Sequence, residues 1–170
     1  MKAHRSVLCC ILTGVLMTLL SCRSNQRGKT FSVHMNVEQY GLARLRETGR
    51  AEQTFSFPII ELFDAHRRRL RVDKAMYNRP DAILAAAPQL LRDSKPDMST
   101  DSDLLQFLGH LTGLSDSDRA YLLRSGRPML ILASIEGCEA CTIQDRAAAH
   151  WQRRVLDGDI DMLDINVATP

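Results

Sequence analysis

No sign of charge prevails in this chain of 170 residues. Its 22 lysines and arginines stand against 20 aspartates and glutamates, so the basic excess expected of a nucleic-acid binder is missing. No internal repeat of fixed period is present, and after the first twenty or so residues no stretch is hydrophobic enough to cross a membrane. A zinc ligand set is also lacking: Cys138 and Cys141 would need two more ligands, and the spacing to His150 fits no zinc pattern. Ser115 and Ser134 lack His and Asp partners in any hydrolase-like arrangement. His34, His110 and His150 are single histidines that read as packing or surface residues. No cofactor is expected. His66-Arg67-Arg68-Arg69-Leu70-Arg71 could bind an anionic lipid or glycan, but a solvated hairpin tip is the simpler reading.

What is present begins at the N-terminus. Lys2 and Arg5 precede Val7–Leu20, an apolar run of about 14 residues, too short for a comfortable span and of signal-peptide proportions. It ends in Leu19-Leu20-Ser21-Cys22, which resembles the bacterial lipobox. That resemblance implies cleavage after Ser21 and a lipidated Cys22; a plain secretory signal or an uncleaved anchor is the alternative. Arg23 stands where an Asp would suggest inner-membrane retention, so an outer-membrane lipoprotein facing the periplasm is expected. Residues 1–21 are then signal, 22–30 a polar tether, and 31–170 one domain, long enough for a proper core. With Lys2 and Arg5 removed, 20 basic residues face 20 acidic ones. Cys9 and Cys10 leave with the signal and Cys22 carries lipid. Only Cys138 and Cys141 remain as thiols, in a compartment where disulfides persist.

Along the chain, 31–37 alternates as a half-buried strand through Phe31, Val33, Met35 and Val37. Residues 37–49 suggest a short helix through Tyr40, Leu42 and Leu45, stopped by Gly49. Residues 54–63 and 69–72 suggest a hairpin. A helix over 82–91 should be kinked or cut by Pro88, and 93–103 is a polar connector. Residues 104–114 and 115–126 suggest a helical hairpin, the second arm capped by Ser115 or Asp116 and stopped by Gly126. Residues 128–134 form a continuous apolar run typical of a strand buried on both faces. A helix over 141–156 with Ile143, Ala147, Trp151 and Leu156 on one face follows, then a strand over 159–167. Strand, helix, strand in this order implies a parallel βαβ unit.

The Cys-x-x-Cys sits where that buried strand meets its helix. There, unpaired backbone N–H groups and the helix dipole favour a thiolate on the first cysteine, and the second lies one turn on. A redox couple, a metal-ligand pair and a structural disulfide are the possible uses, although the Met that usually precedes a copper-carrier motif is replaced by Ile135-Glu136-Gly137. The context RPMLILASIEGCEACTIQDRAAAHW resembles the thioredoxin family, over about 40 residues, 127–167. The resemblance implies that Cys138 attacks and Cys141 resolves. Gly137 stands where that family usually has Trp, Glu139-Ala140 replaces Gly-Pro, and Leu132 replaces a buried Asp. Glu139 should oppose thiolate formation at Cys138.

The distal half of a thioredoxin-like domain is not found after Val167. Residues 54–91 resemble it instead: a Pro before an aliphatic strand, a hairpin, then a helix. Pro58 would match the proline facing the redox pair, which shapes the groove where substrate backbone pairs. A permuted or rearranged thioredoxin-like domain is one reading; a separate N-terminal hairpin on a truncated domain is the other. The expectation is therefore α/β: a thioredoxin-like mixed sheet flanked by helices, with a helical-hairpin insertion. Its expected function is thiol–disulfide exchange through Cys138 and Cys141 with periplasmic or envelope proteins, on a lipid anchor. The alternative is a non-enzymatic envelope lipoprotein whose disulfide is structural.

Overall fold

A computed structural model describes residues 28–49, 55–76, 78–93, 104–156 and 158–169. Cys22, the signal segment, Thr54 and nearly all of the 93–103 connector lie outside the described residues. Among the described residues the fold is α/β, a four-stranded mixed sheet with five α-helices. In chain order these are β1 (Thr30–Asn36), α1 (Val37–Thr48), β2 (Ile59–Phe63), α2 (Pro80–Asp93), α3 (Leu104–His110), α4 (Asp116–Arg124), β3 (Met129–Ile135), α5 (Glu139–Leu156) and β4 (Asp161–Ala168).

The sheet order is β1-β4-β3-β2. β3 and β4 are parallel neighbours joined through α5, as the apolar run and the following helix imply. β1 lies parallel to β4 on one edge, and β2 runs antiparallel to β3 on the other, with Ile59 opposite Ala133 and Phe63 opposite Met129. The two-residue period of β3 divides the core. Met129, Ile131 and Ala133 join Tyr40, Phe107, Leu108 and Leu122 under α1, α3 and α4. Leu130 and Leu132 face the other way, onto Ile83, Leu84, Ala148, Trp151 and Val155 of α2 and α5. Helices on both faces explain why β3 carries no polar residue before Ser134.

Local signals set several boundaries. Asn36 caps α1 in a reciprocal pair, accepting from Gln39 N at 2.8 Å while Gln39 accepts from Asn36 N at 3.1 Å. Gly49 ends α1 in the left-handed region at φ 67°. Ser115, not Asp116, caps α4. Pro80 opens α2, where its missing N–H costs nothing.

Some expectations need correction. The 69–72 arm is too short to form a full strand, but it does fold back on β2: Phe63 bridges Arg69, Leu70 N donates to Leu62 O at 2.7 Å and Asp64 N to Arg68 O at 3.0 Å. Leu70 and Val72 are buried with Ile83 and Leu84 of α2, and the pairing stops after Leu70. Pro88 does not end α2, which runs unbroken through it; burial of Ile83, Leu84 and Ala87 holds the turns around the lost hydrogen bond. α3 stops at His110, with Leu111 buried just beyond it. On α1 the inward face is Tyr40, Ala43, Arg44 and Glu47, while Leu42 is 58% exposed. On α5 it is Cys141, Gln144, Ala148, Trp151 and Val155, with Ile143 turned outward. Both helices thus face inward with polar residues that an apolar-periodicity reading passes over.

Candidate functional site around Cys138 and Cys141

β3 delivers the chain to the end of the sheet, and a tight turn re-aims it into α5. Glu136 N donates to Val167 O at 3.2 Å, which continues the β3–β4 ladder by one step, and Cys138 N donates to Ile135 O at 3.2 Å. Gly137 occupies the left-handed region at φ 78°, a conformation glycine adopts freely and a side-chain residue does not. That requirement accounts for glycine at a position where the resemblance would place tryptophan.

Cys138 then serves as the residue ahead of α5, its carbonyl accepting Cys141 N at 3.1 Å. Its sulfur accepts the same N–H at 3.0 Å. The two cysteines are joined as a disulfide, with Cα atoms 5.2 Å apart. They differ in access: Cys138 is half-buried and Cys141 is 3% exposed. An incoming group therefore meets Cys138 first. In the reduced state the N–H aimed at Cys138 Sγ and the first turn of α5 favour negative charge on that sulfur. Glu139, exposed beside it, opposes this.

Two clefts flank Cys138. One, of about 410 Å³, is lined by polar groups including His34, Ser134, Glu136, Thr142, Asp145 and Asn166, together with both cysteines. In its wall Ser134 Oγ lies 3.4 Å from Asn166 Oδ1, and Asn166 Nδ2 donates to Asp164 Oδ2 at 3.4 Å. Burial holds the Asp164 carboxyl above the usual carboxylate range, and the nearby charge of Asp145 adds to this; the Asn166 hydrogen bond and His34 pull the other way. The second cleft, of about 370 Å³, is apolar: Val37, Phe55, Phe57 and Ile135 with Cys138. Cys138 lies on the boundary between them.

Pro58 immediately precedes β2, and the Phe57–Pro58 peptide is cis. Extending the β2–β3 register one step past the Ile59–Ala133 pair sets Pro58 across from Ser134 and Phe57 across from Ile135. The chain segment carrying Pro58 thus reaches the same end of the sheet as the disulfide.

Besides the aromatic cleft, sequence reasoning missed two further features. Gln144, one turn beyond Cys141, is fully buried, and neither of its side-chain polar atoms has a hydrogen-bond partner. Away from the disulfide, Arg44 joins Glu47 at 2.5 Å, Glu61 at 3.0 Å and the Tyr40 hydroxyl at 2.9 Å, and its guanidinium lies over Phe107 at 4.5 Å. Arg69 completes this buried network against Glu47 and Glu61. Only Glu61's place on an otherwise apolar strand hinted at it. Among the described residues no three His, Cys, Asp or Glu side chains are placed to hold a metal ion, and no helix is long and apolar enough to cross a membrane. No protein-family model, curated protein or solved structure matches the chain.

Proposed function

We propose that this chain is a thiol–disulfide oxidoreductase of thioredoxin-like, rearranged build, carried on an outer-membrane lipid anchor at Cys22 and acting on envelope proteins. The observation that carries the reading is the asymmetry of the pair. Cys138 is reachable, caps a helix and receives an N–H on sulfur, while Cys141 is enclosed behind it.

The chemistry needs no added group. Starting from the disulfide, a partner thiolate attacks Cys138 Sγ, the Cys138–Cys141 bond breaks, and its electron pair leaves on Cys141 Sγ, which takes up a proton. A second thiolate of the same partner then attacks its own sulfur in the mixed disulfide and releases Cys138 as a thiolate. The partner is oxidised by two electrons and the pair is reduced. Run in reverse, the pair reduces a partner disulfide, with Cys141 resolving the mixed species.

Support for the rearranged build comes from chain order. Pro58, β2 antiparallel to β3, and α2 packed on the same sheet agree with part of the half expected after the βαβ unit, here placed before it; the second strand of that half is represented only by the short pairing at Arg69 and Leu70. The helical pair α3 and α4 would be the insertion.

The deciding experiment is the reduction potential of the Cys138–Cys141 couple. A value between about −270 and −120 mV supports exchange; one far below about −300 mV identifies an inert staple. That second outcome belongs to the alternative, a non-enzymatic lipoprotein, which is favoured by the near-complete burial of Cys141 and the carboxylates nearby.

A further inference from the structure

The end of the sheet that carries the disulfide is chemically lopsided. On one side of Cys138 lies the aromatic cleft of Val37, Phe55, Phe57 and Ile135. On the other lie exposed carboxylates: Glu136 and Asp145 line the polar cleft, and Glu139 stands next to Cys138. The segments that build this end, residues 34–38, 55–60, 134–145 and 164–169, contain no lysine or arginine. Elsewhere Glu47, Glu61, Asp64 and Asp161 each sit against an arginine, whereas Glu38, Asp73, Asp118 and Asp164 make no ion pair among the described residues. Among the described residues, Glu136, Glu139 and Asp145 have no such partner.

An apolar cleft and uncompensated negative charge meet at one accessible sulfur. We infer that this surface docks a partner segment whose reactive cysteine is flanked by a bulky apolar residue on one side and by lysine or arginine on the other. The inference rests on the exchange reading above and narrows its substrate class. Aromatic walls accept an apolar side chain without orphaning any polar group. Carboxylates held around a docking sulfur raise the local concentration of a cationic segment and reject an acidic one, and salt weakens the effect. The same charge stabilises the cationic mixed-disulfide complex as its bond to Cys138 Sγ forms and the electron pair passes to Cys141.

The test uses the oxidised protein and four short synthetic peptides with one cysteine each, flanked by Phe or Ser on one side and by Lys or Glu on the other. Thiol consumption is followed for each peptide, and each rate is divided by that peptide's rate with 2-hydroxyethyl disulfide. This removes the effect of flanking charge on the peptide's own thiol. Dithiothreitol serves as the small neutral probe. The Phe/Lys peptide is expected to react about tenfold faster than the Phe/Glu peptide at low salt, with most of the advantage gone at about 0.5 M salt. The double substitution Glu136→Gln/Glu139→Gln should erase the charge preference, and Phe57→Ser should erase the preference for Phe over Ser. Equal normalised rates for all four peptides, with dithiothreitol still reducing the pair, would overturn the partner assignment and leave exchange standing. Failure of dithiothreitol as well as every peptide would overturn both.

Discussion

Replacing Arg44 with methionine tests the buried charge network and the physics that holds α1 to the sheet. The Arg44 side chain is 5% exposed and those of Glu47 and Glu61 are 0% and 11%. Burial alone would lower the arginine's proton affinity, but the charges of Glu61 and Glu47 and the Tyr40 hydroxyl outweigh it and hold Arg44 well above its ordinary value. Methionine keeps an apolar stem over Phe107 but leaves two carboxylates facing Arg69 alone. Removing one partner of a buried pair costs about 3–5 kcal/mol, a large share of the roughly 5–15 kcal/mol that holds a domain together. At about 3 °C per kcal/mol for a domain of this size, Tm should fall by about 10 °C. The double variant Arg44→Met/Glu47→Met removes both members of the pair and leaves Glu61 with Arg69. It should be more stable than the single variant, so the two substitutions are not additive. The cost should also depend on pH. Burial raises the Glu47 carboxyl above its ordinary value, with the charge of Glu61 adding to this and Arg44 and Arg69 opposing it. The folded state therefore holds this proton more tightly than the unfolded state, and stability falls as pH rises from the ordinary carboxylate value through the raised one. Losing Arg44 raises the carboxyl further, so the deficit of the single variant should be largest near neutrality and shrink in mild acid. Urea unfolding followed by fluorescence of Trp151, 2% exposed and on the opposite face of the sheet, reports this globally. A single variant within about 1 kcal/mol of the parent at neutral pH, or a deficit unchanged on acidification, would refute the reasoning.

Two further outcomes are expected from the same unfolding assay. Gln144→Met should stabilise the fold by about 1–2 kcal/mol, because it removes a buried amide that has no partner; a loss instead would mean that the amide is satisfied in solution. Gly28→Ala should destabilise it by about 1–3 kcal/mol, since an added Cβ would sit 2.1 Å from Ile160 O and 2.8 Å from Val155 O; a neutral result would mean that this segment does not pack against the α5–β4 connection.

The central part of the fold was readable because its signals are local and redundant. The apolar run of β3 and the alternation in β1 and β4 each repeat one message over several residues. Gly49 and Ser115 punctuate the helices by backbone geometry alone. The Cys-x-x-Cys was legible for the same reason: strand, turn and helix are contiguous. Arg44 and Glu47 were not legible, since their burial depends on Glu61 and Arg69, which are brought to them by β2 and the turn after it. Leu42 misled in the same way, its hydrophobicity carrying no information about which side of α1 the sheet would occupy. The aromatic cleft escaped notice because Val37, Phe55 and Ile135 come from three separate segments that meet only through the sheet order.

That sheet order also fixes how the molecule can be held. β1, β4 and β3 all point the same way, and Lys29 N donates to Asp161 Oδ1 at the start of β4, while Cys138 follows the far end of β3. Seven residues of strand separate the two ends, roughly 23 Å. Gly28 therefore lies at the pole opposite the disulfide. Fixed by that pole to a bead, a sensor surface or a bilayer, the protein would present Cys138 outward, and its reach would be set by the length of the attachment and not by any reorientation of the domain.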